Sequence, residues 1–153
     1  MSHSATRSTL AVLLGLVLLS AGLLAPGAAG GSSSVVLGSA TFAQPDGEGW
    51  GTSQPRRLFN GGDPSGLVTE IWWTSWGGSM AIGYGLNSIF KPAGGYYTQP
   101  VIKELRAQKL GKCSSHGPQA YTQLYIRGPE RPNGPVGPWH LWSEAKSLCR
   151  FGF

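Results

Sequence analysis

Residues Glu70–Gly85 read E-I-W-W-T-S-W-G-G-S-M-A-I-G-Y-G. Three of the chain's six tryptophans fall between Trp72 and Trp76, a Gly-Gly pair follows, and glycine then alternates with larger residues at Gly83 and Gly85. From Leu67 to Asn87 side-chain character repeats with a period of two, which predicts two antiparallel strands, and Gly77-Gly78 suits a two-residue hairpin turn. A turn at that place sets the register. Trp76 then faces Ser79, Trp72 faces Gly83 and Glu70 faces Gly85. One side of the ribbon carries Leu67, Thr69, Ile71, Trp73 and Ser75 against Met80, Ile82, Tyr84 and Leu86. It is apolar and evenly matched, and reads as the core side. The other side carries Val68, Glu70, Trp72, Thr74 and Trp76 against Ser79, Ala81, Gly83, Gly85 and Asn87. Missing side chains at Gly83 and Gly85 leave a hollow for something broad, either the Trp72 indole or a partner pressed against the sheet.

That second side holds the candidate ligand-binding residues, Glu70, Trp72 and Trp76. On an ideal strand the two indoles lie roughly 13 Å apart and point the same way. Flat rings spaced along a sheet can stack sugar rings, and a carboxylate beside them can accept hydrogen bonds from sugar hydroxyls. The competing readings are a second core, covered by other parts of the chain, and a protein-binding patch; large exposed apolar surface is rare without a role.

Working outward, Ser34–Ala43 is expected to be a first strand, and residues 44–66 an irregular connection in which Arg57-Leu58-Phe59 adds a short strand. Asp63-Pro64-Ser65-Gly66 suits a type I turn. Residues 99–110 read as the one helix, with Pro100 in its first turn, Gly111 just past its end, and Val101, Ile102 and Leu105 as its apolar stripe. Lys103, Arg106 and Lys109 recur every third residue on its outside, a solvated face that could also meet an anionic polymer. Ala120–Arg127 alternates as a strand, and Trp139–Ser143 reads as another short one. Between them residues 128–138, G-P-E-R-P-N-G-P-V-G-P, form an ordered Pro-rich loop, since so many prolines forbid a ladder.

The first 29 residues read as an export signal. Arg7 supplies a positive start, Leu10–Leu24 is apolar or small throughout, and A-P-G-A-A-G offers small residues for cleavage after Ala29. The apolar run is shorter than the roughly 20 residues of a membrane span, so no stable membrane insertion is expected after cleavage. Residues 30–34 are a flexible lead-in, and 35–153 a single β-rich extracytoplasmic domain. The formal charge is +5, with only 12% charged residues beside 24 Gly and 11 Pro. Such a mild excess suits an anionic cell wall or membrane surface and calls for no nucleic acid. The only two cysteines, Cys113 and Cys149, most simply form one disulfide in an exported chain. Cys113-x-x-His116 with His140 and Cys149 is formally a zinc set, but oxidation consumes its thiols, so no metal and no cofactor is expected. Asp46, Glu48 and Asp63 are too few oxygens for Ca²⁺ and read as turn residues. Nucleophile elbow, phosphate-binding loop, zinc-protease and dinucleotide motifs are all missing, and no catalytic residue stands out.

The chain therefore reads as a mainly β domain with one helix, an antiparallel sandwich or small open barrel stapled by Cys113–Cys149. The leading function is a secreted, non-catalytic module that binds a glycan or cell-wall polymer. A protein-interaction module using the loop 128–138 comes second, since prolines lower the ordering cost of docking, and a small extracellular hydrolase third.

Overall fold

In a computed structural model that describes residues 34–150, the alternation over 67–87 does form paired strands. They lie in one antiparallel-dominated sheet of seven strands, β1 Val36–Leu37, β2 Leu58–Phe59, β3 Leu67–Ser75, β4 Met80–Asn87, β5 Val101–Lys112, β6 Gln119–Arg127 and β7 His140–Leu141. The order across the sheet is β1-β6-β5-β4-β3-β2, with β7 added to β6. This is one curled, open half-barrel and not the two sheets of a sandwich. Its edges, β1 and β2, are tied together by the irregular segment between them. Glu48 and Phe59 exchange backbone hydrogen bonds of 3.0 and 3.1 Å, Gly51 N donates to Leu37 O at 2.7 Å, and Leu37 N donates to Thr52 O at 2.9 Å. The expected export signal, residues 1–29, lies outside the described residues.

The expected helix over 99–110 is strand β5. It pairs along its length with β4, from Met80↔Gln108 to Asn87↔Val101, and with β6, from Glu104↔Arg127 to Lys112↔Gln119. Its residues are good helix formers, but such preferences are worth only tenths of a kcal/mol each and tertiary context overrides them. Here the context is a place between two long strands, where Val101, Leu105 and Ala107 are buried on one side and Ile102, Glu104, Arg106 and Gln108 lie on the other. The basic triplet is split by this geometry, since Lys103 and Arg106 are on opposite sides. The first strand is also shorter than Ser34–Ala43, only Val36–Leu37, because Gly38 turns the chain at φ 57° beneath Leu148.

The hairpin register is the third correction. Near its open end the predicted pairing holds, with Val68↔Asn87 and Thr69↔Leu86. Glu70 then adopts φ 52° and forms a bulge, after which Trp72 pairs with Tyr84 and Trp73 with Gly83. A second shift brings Ser75 opposite Ile82, and the strands are joined by the four residues Trp76–Ser79 instead of a two-residue turn. A bulge adds one residue to one strand and so exchanges the sides of everything beyond it. β4 and the start of β3 are reversed from the predicted sides, with Val68 buried, while the bulge returns Ile71 and Trp73 to the core side expected for them. Ala81, Gly83, Gly85 and Asn87 face the interior, while Met80, Ile82, Tyr84 and Leu86 face outward.

The glycines of β4 do make room for an indole, and the indole is Trp73. A Cβ at Gly83 would stand 2.7 Å from Trp73 Cε3, and one at Gly85 would stand 2.5 Å from Val68 Cγ1. Inside the curl, Leu37, Trp50, Leu58, Val68, Ile71, Leu105, Tyr121, Leu124, Trp142 and Leu148 form one buried cluster. Indole N–H groups bind the irregular segments to it. Trp50 donates to Phe59 O at 2.7 Å, Trp73 to Pro55 O at 2.9 Å and Trp76 to Val35 O at 2.9 Å. Tyr121 Oη donates to Gly78 O at 2.8 Å and ties down the hairpin turn. Burial pushes the Tyr121 phenol above its ordinary pKa. Cys113 and Cys149 are bonded to each other, fixing the last described turn, with Leu148, against the end of β5.

Candidate functional site

The three residues expected to bind ligand do not share one surface. Trp72 is on the outer side of the sheet and 47% exposed. Trp76 turns inward, with its ring edge-on to Trp73 at 4.6 Å and to Tyr121 at 5.2 Å. Glu70 is exposed but occupies the bulge, outside the paired register. The platform of two indoles on one strand is therefore replaced: the bulge at Glu70 aligns Trp72 with side chains from other strands, and the second shift, between Trp73 and Ser75, separates Trp72 from Trp76, which lies beyond the end of β3.

That alignment is a straight row across four strands. Trp72 of β3 pairs with Tyr84 of β4, Tyr84 with Glu104 of β5, and Glu104 with Arg127 of β6. At ordinary strand spacing the row is about 14 Å long. Trp72 and Tyr84 stack at 5.5 Å between centroids with 23° between their planes, a cross-strand aromatic pair of the kind that stiffens a sheet surface. At the far end, Arg127 Nε and Nη2 donate to the same oxygen, Glu104 Oε2, at 2.9 and 2.7 Å. Glu104 is thereby held by one oxygen, and its Oε1 is left to accept other hydrogen bonds. The pair is partly exposed, so its contribution to stability is small; its effect is to fix both side chains.

The adjoining row contains Ile82, Arg106 and Tyr125 on β4, β5 and β6. The Arg106 guanidinium lies 4.9 Å from the Tyr125 ring centroid and 4.6 Å from that of Trp139, and Arg127 lies 4.5 Å from the Trp139 centroid. Trp139 thus carries two guanidinium groups, a favourable arrangement for cations on an aromatic face.

The Pro-rich loop walls one end of this surface. Pro129 and Val136 bridge its two limbs, Gly134 N donates to Arg131 O at 2.9 Å, and Gly137 N donates to Gly128 O at 3.1 Å, so the loop is ordered as expected. Between it and the sheet runs a groove of about 590 Å³, floored by Tyr84, Ile102 and Glu104 and walled by Pro129, Pro132 and Val136. Across the loop, on the interior side, a second groove of about 750 Å³ runs past Phe90, Tyr97 and Val136. Lys103 lies at its base and donates to Pro129 O at 2.9 Å. Burial lowers the Lys103 pKa, and Glu130 offsets part of that.

Cys113 and Cys149 hold each other's sulfur and are not thiolate ligands; among the described residues no cluster of His, Cys, Asp and Glu could hold a metal ion. Sequence reasoning missed Tyr84, Glu104, Arg127 and Trp139, and placed Arg106, which it did name as a basic residue able to meet an anionic polymer, on a helix. The missed signal was the alternation of Ile102, Glu104, Arg106 and Gln108 against Val101, Leu105 and Ala107, which fits a strand as well as a helix. No protein-family model, curated protein or solved structure matches this chain. Among the described residues no helix is long and apolar enough to cross a membrane.

Proposed function

We propose that this chain is an extracytoplasmic, non-catalytic binding module for a glycan or cell-wall polymer, taken on the outer side of the sheet along the row Trp72–Tyr84–Glu104. Trp72 keeps the stacking role expected of it. Tyr84 takes the place of Trp76, and Glu104 that of Glu70 as the acceptor for ligand hydroxyls. The observation that carries the reading is the row itself: an exposed indole braced on a tyrosine, in line with a carboxylate that has one oxygen free, beside an open groove. Apolar surface with a few convergent polar groups is the ordinary character of a ligand site. The sheet positions these groups rigidly, so little ordering is lost on binding. An exported setting agrees with the disulfide.

Tryptophan fluorescence of the disulfide-intact chain, titrated with soluble oligosaccharides from cell-wall polymers, tests this. A saturable change that is lost in Trp72→Ala and in Glu104→Gln, and kept in Glu70→Gln, supports the row. A response that survives Trp72→Ala sinks it. A second reading, docking of a protein segment along the Pro-rich loop, is favoured by Phe90 and Val136, both more than half exposed beside the second groove. Capture of a peptide ligand that is lost on Val136→Asp and unaffected by Trp72→Ala would move the site there.

A further inference from the structure

Arg106 is a cation that the protein holds in place and leaves without an acceptor. Two rings brace its guanidinium, Tyr125 at 4.9 Å and Trp139 at 4.6 Å. Its Nε is buried without a hydrogen-bond partner. The nearest acid along the strand on the same side, Glu104, is already engaged by Arg127. Among the described residues the ion pairs are Arg57–Glu48 and Arg127–Glu104, and neither includes Arg106. A guanidinium presents a rigid fork of five N–H donors that matches the oxygens of a carboxylate or a phosphate. The buried Nε is out of a ligand's reach, but the residue as a whole is only half-buried, so its Nη groups are the donors that can meet an oxyanion. Arg106 stands one row from Glu104 and Tyr84, about 12 Å from Trp72 at ordinary sheet spacing, so one extended chain can reach both the stacking rings and the guanidinium.

From this we infer that the polymer taken by the outer face is anionic: it places an oxyanion on Arg106 while its sugar rings stack on Trp72 and Tyr84. The inference rests on the proposed glycan-binding row and adds the class of ligand. Trp139 and Tyr125 are positioning residues in it, since they hold the guanidinium and need not touch the ligand. The surrounding charge agrees. The two rows carry Arg106 and Arg127 against Glu104 alone, and the chain as a whole has a formal charge of +5. A uronate carboxylate and a phosphodiester offer the same paired oxygens, and the ligand's chemistry separates them in the test.

Isothermal titration of the disulfide-intact chain uses three probes: polygalacturonate, the same polymer with its carboxyl groups reduced to alcohols, and poly(glycerol phosphate). The expected result is that polygalacturonate binds and that carboxyl reduction weakens it about 10- to 100-fold, as loss of a charge-assisted hydrogen-bonded pair does. Arg106→Gln should weaken polygalacturonate by the same factor and leave the reduced polymer unchanged. Arg106→Lys, which keeps the charge and loses the fork, should recover only part. Poly(glycerol phosphate) has no ring to stack, so binding of it that depends on Arg106 and not on Trp72 supports the oxyanion subsite with phosphate as its occupant. Equal affinity for the acidic and reduced polymers, both dependent on Trp72, overturns the inference and leaves the glycan row standing. Failure of all three probes to bind overturns both. The reduced-polymer arm needs no mutation, so it decides the matter even where Arg106→Gln disturbs folding.

Discussion

The Trp73 indole occupies the space that a side chain at Gly83 would need, with Cε3 and Cδ2 both within 2.9 Å of where a Cβ would stand. Gly83 is directly opposite Trp73 in the ladder, and its backbone angles are ordinary for a strand. The need for glycine here is thus one of space and not of backbone freedom. Gly83→Ala should destabilise the fold by roughly 1–3 kcal/mol, the usual cost of overpacking a closed interior. Urea unfolding of the two proteins checks this. A change under about 0.5 kcal/mol, the level of an ordinary surface substitution, would mean that Trp73 is not seated on β4.

Trp72 and Trp76 are four residues apart and should behave in opposite ways. Trp76 packs edge-on against Trp73 and Tyr121 and donates to Val35 O. Truncation to alanine therefore opens a cavity and strands a carbonyl, at a cost of about 3–5 kcal/mol. Trp72 is half exposed and stacks on Tyr84, so Trp72→Ala should cost about 1–2 kcal/mol, well below the cost at Trp76. Thermal unfolding of both variants separates them. Equal losses would place both indoles in one core and remove Trp72 from the proposed site.

The existence of the β3–β4 hairpin and of β6 was legible because alternation over eight or nine residues is a strong signal. So were the short strand at Leu58, the order in the Pro-rich loop and the disulfide. The sides were legible only in part: Ile71 and Trp73 pack in the core and Trp72 is outside, as expected, but Val68 and all of β4 present the opposite sides. A single bulge at Glu70, a residue with no special preference for positive φ, brings Val68 and Ile71 to the same side and moves Trp72 opposite Tyr84, and nothing local announces it. Strand β5 was lost for a different reason: its composition favours a helix, and the pairing that overrides this preference comes from strands about 20 residues away on either side. These two effects combine at the candidate site, because Trp72 meets Tyr84 only through the bulge and Tyr84 meets Glu104 only through β5.

The disulfide should contribute a large share of the stability. Cys113 and Cys149 are 36 residues apart, and closing such a loop constrains the unfolded chain by roughly 4 kcal/mol on the chain-entropy account. It also holds Leu148, which is fully buried, and Leu148 N donates to Thr122 O at 2.8 Å. A Cys113→Ser/Cys149→Ser variant should therefore lose about 2–5 kcal/mol in urea unfolding. Ligand binding on the outer face, remote from the bridge, should persist at temperatures where the variant is still folded. A loss below about 1 kcal/mol would show that the C-terminal turn is held by packing alone and that the bridge adds little.

Lys103 should impose a measurable pH dependence on stability. Its stem fits beside Gly128, where a Cβ would stand 2.5 Å from Lys103 Cδ, and its ammonium donates to Pro129 O. Burial lowers its folded-state pKa below the ordinary 10.5 of a lysine. Between the lowered value and 10.5 the unfolded chain binds more protons than the folded one, so stability rises with pH across that window. It is lost again as pH falls through the folded-state pKa. Tyr121 acts in the opposite sense above it: its pKa is raised by burial from 10.0, so the stability it gives is present below that value and declines as pH rises further. Unfolding free energies from about pH 8 to about pH 11 should therefore climb and then fall. In Lys103→Met the climb should disappear and the fall remain, because methionine keeps the stem and removes the titrating group. A climb that persists unchanged in the variant would mean that Lys103 is solvated in the folded protein, and that the second groove is not closed over it by the Pro-rich loop.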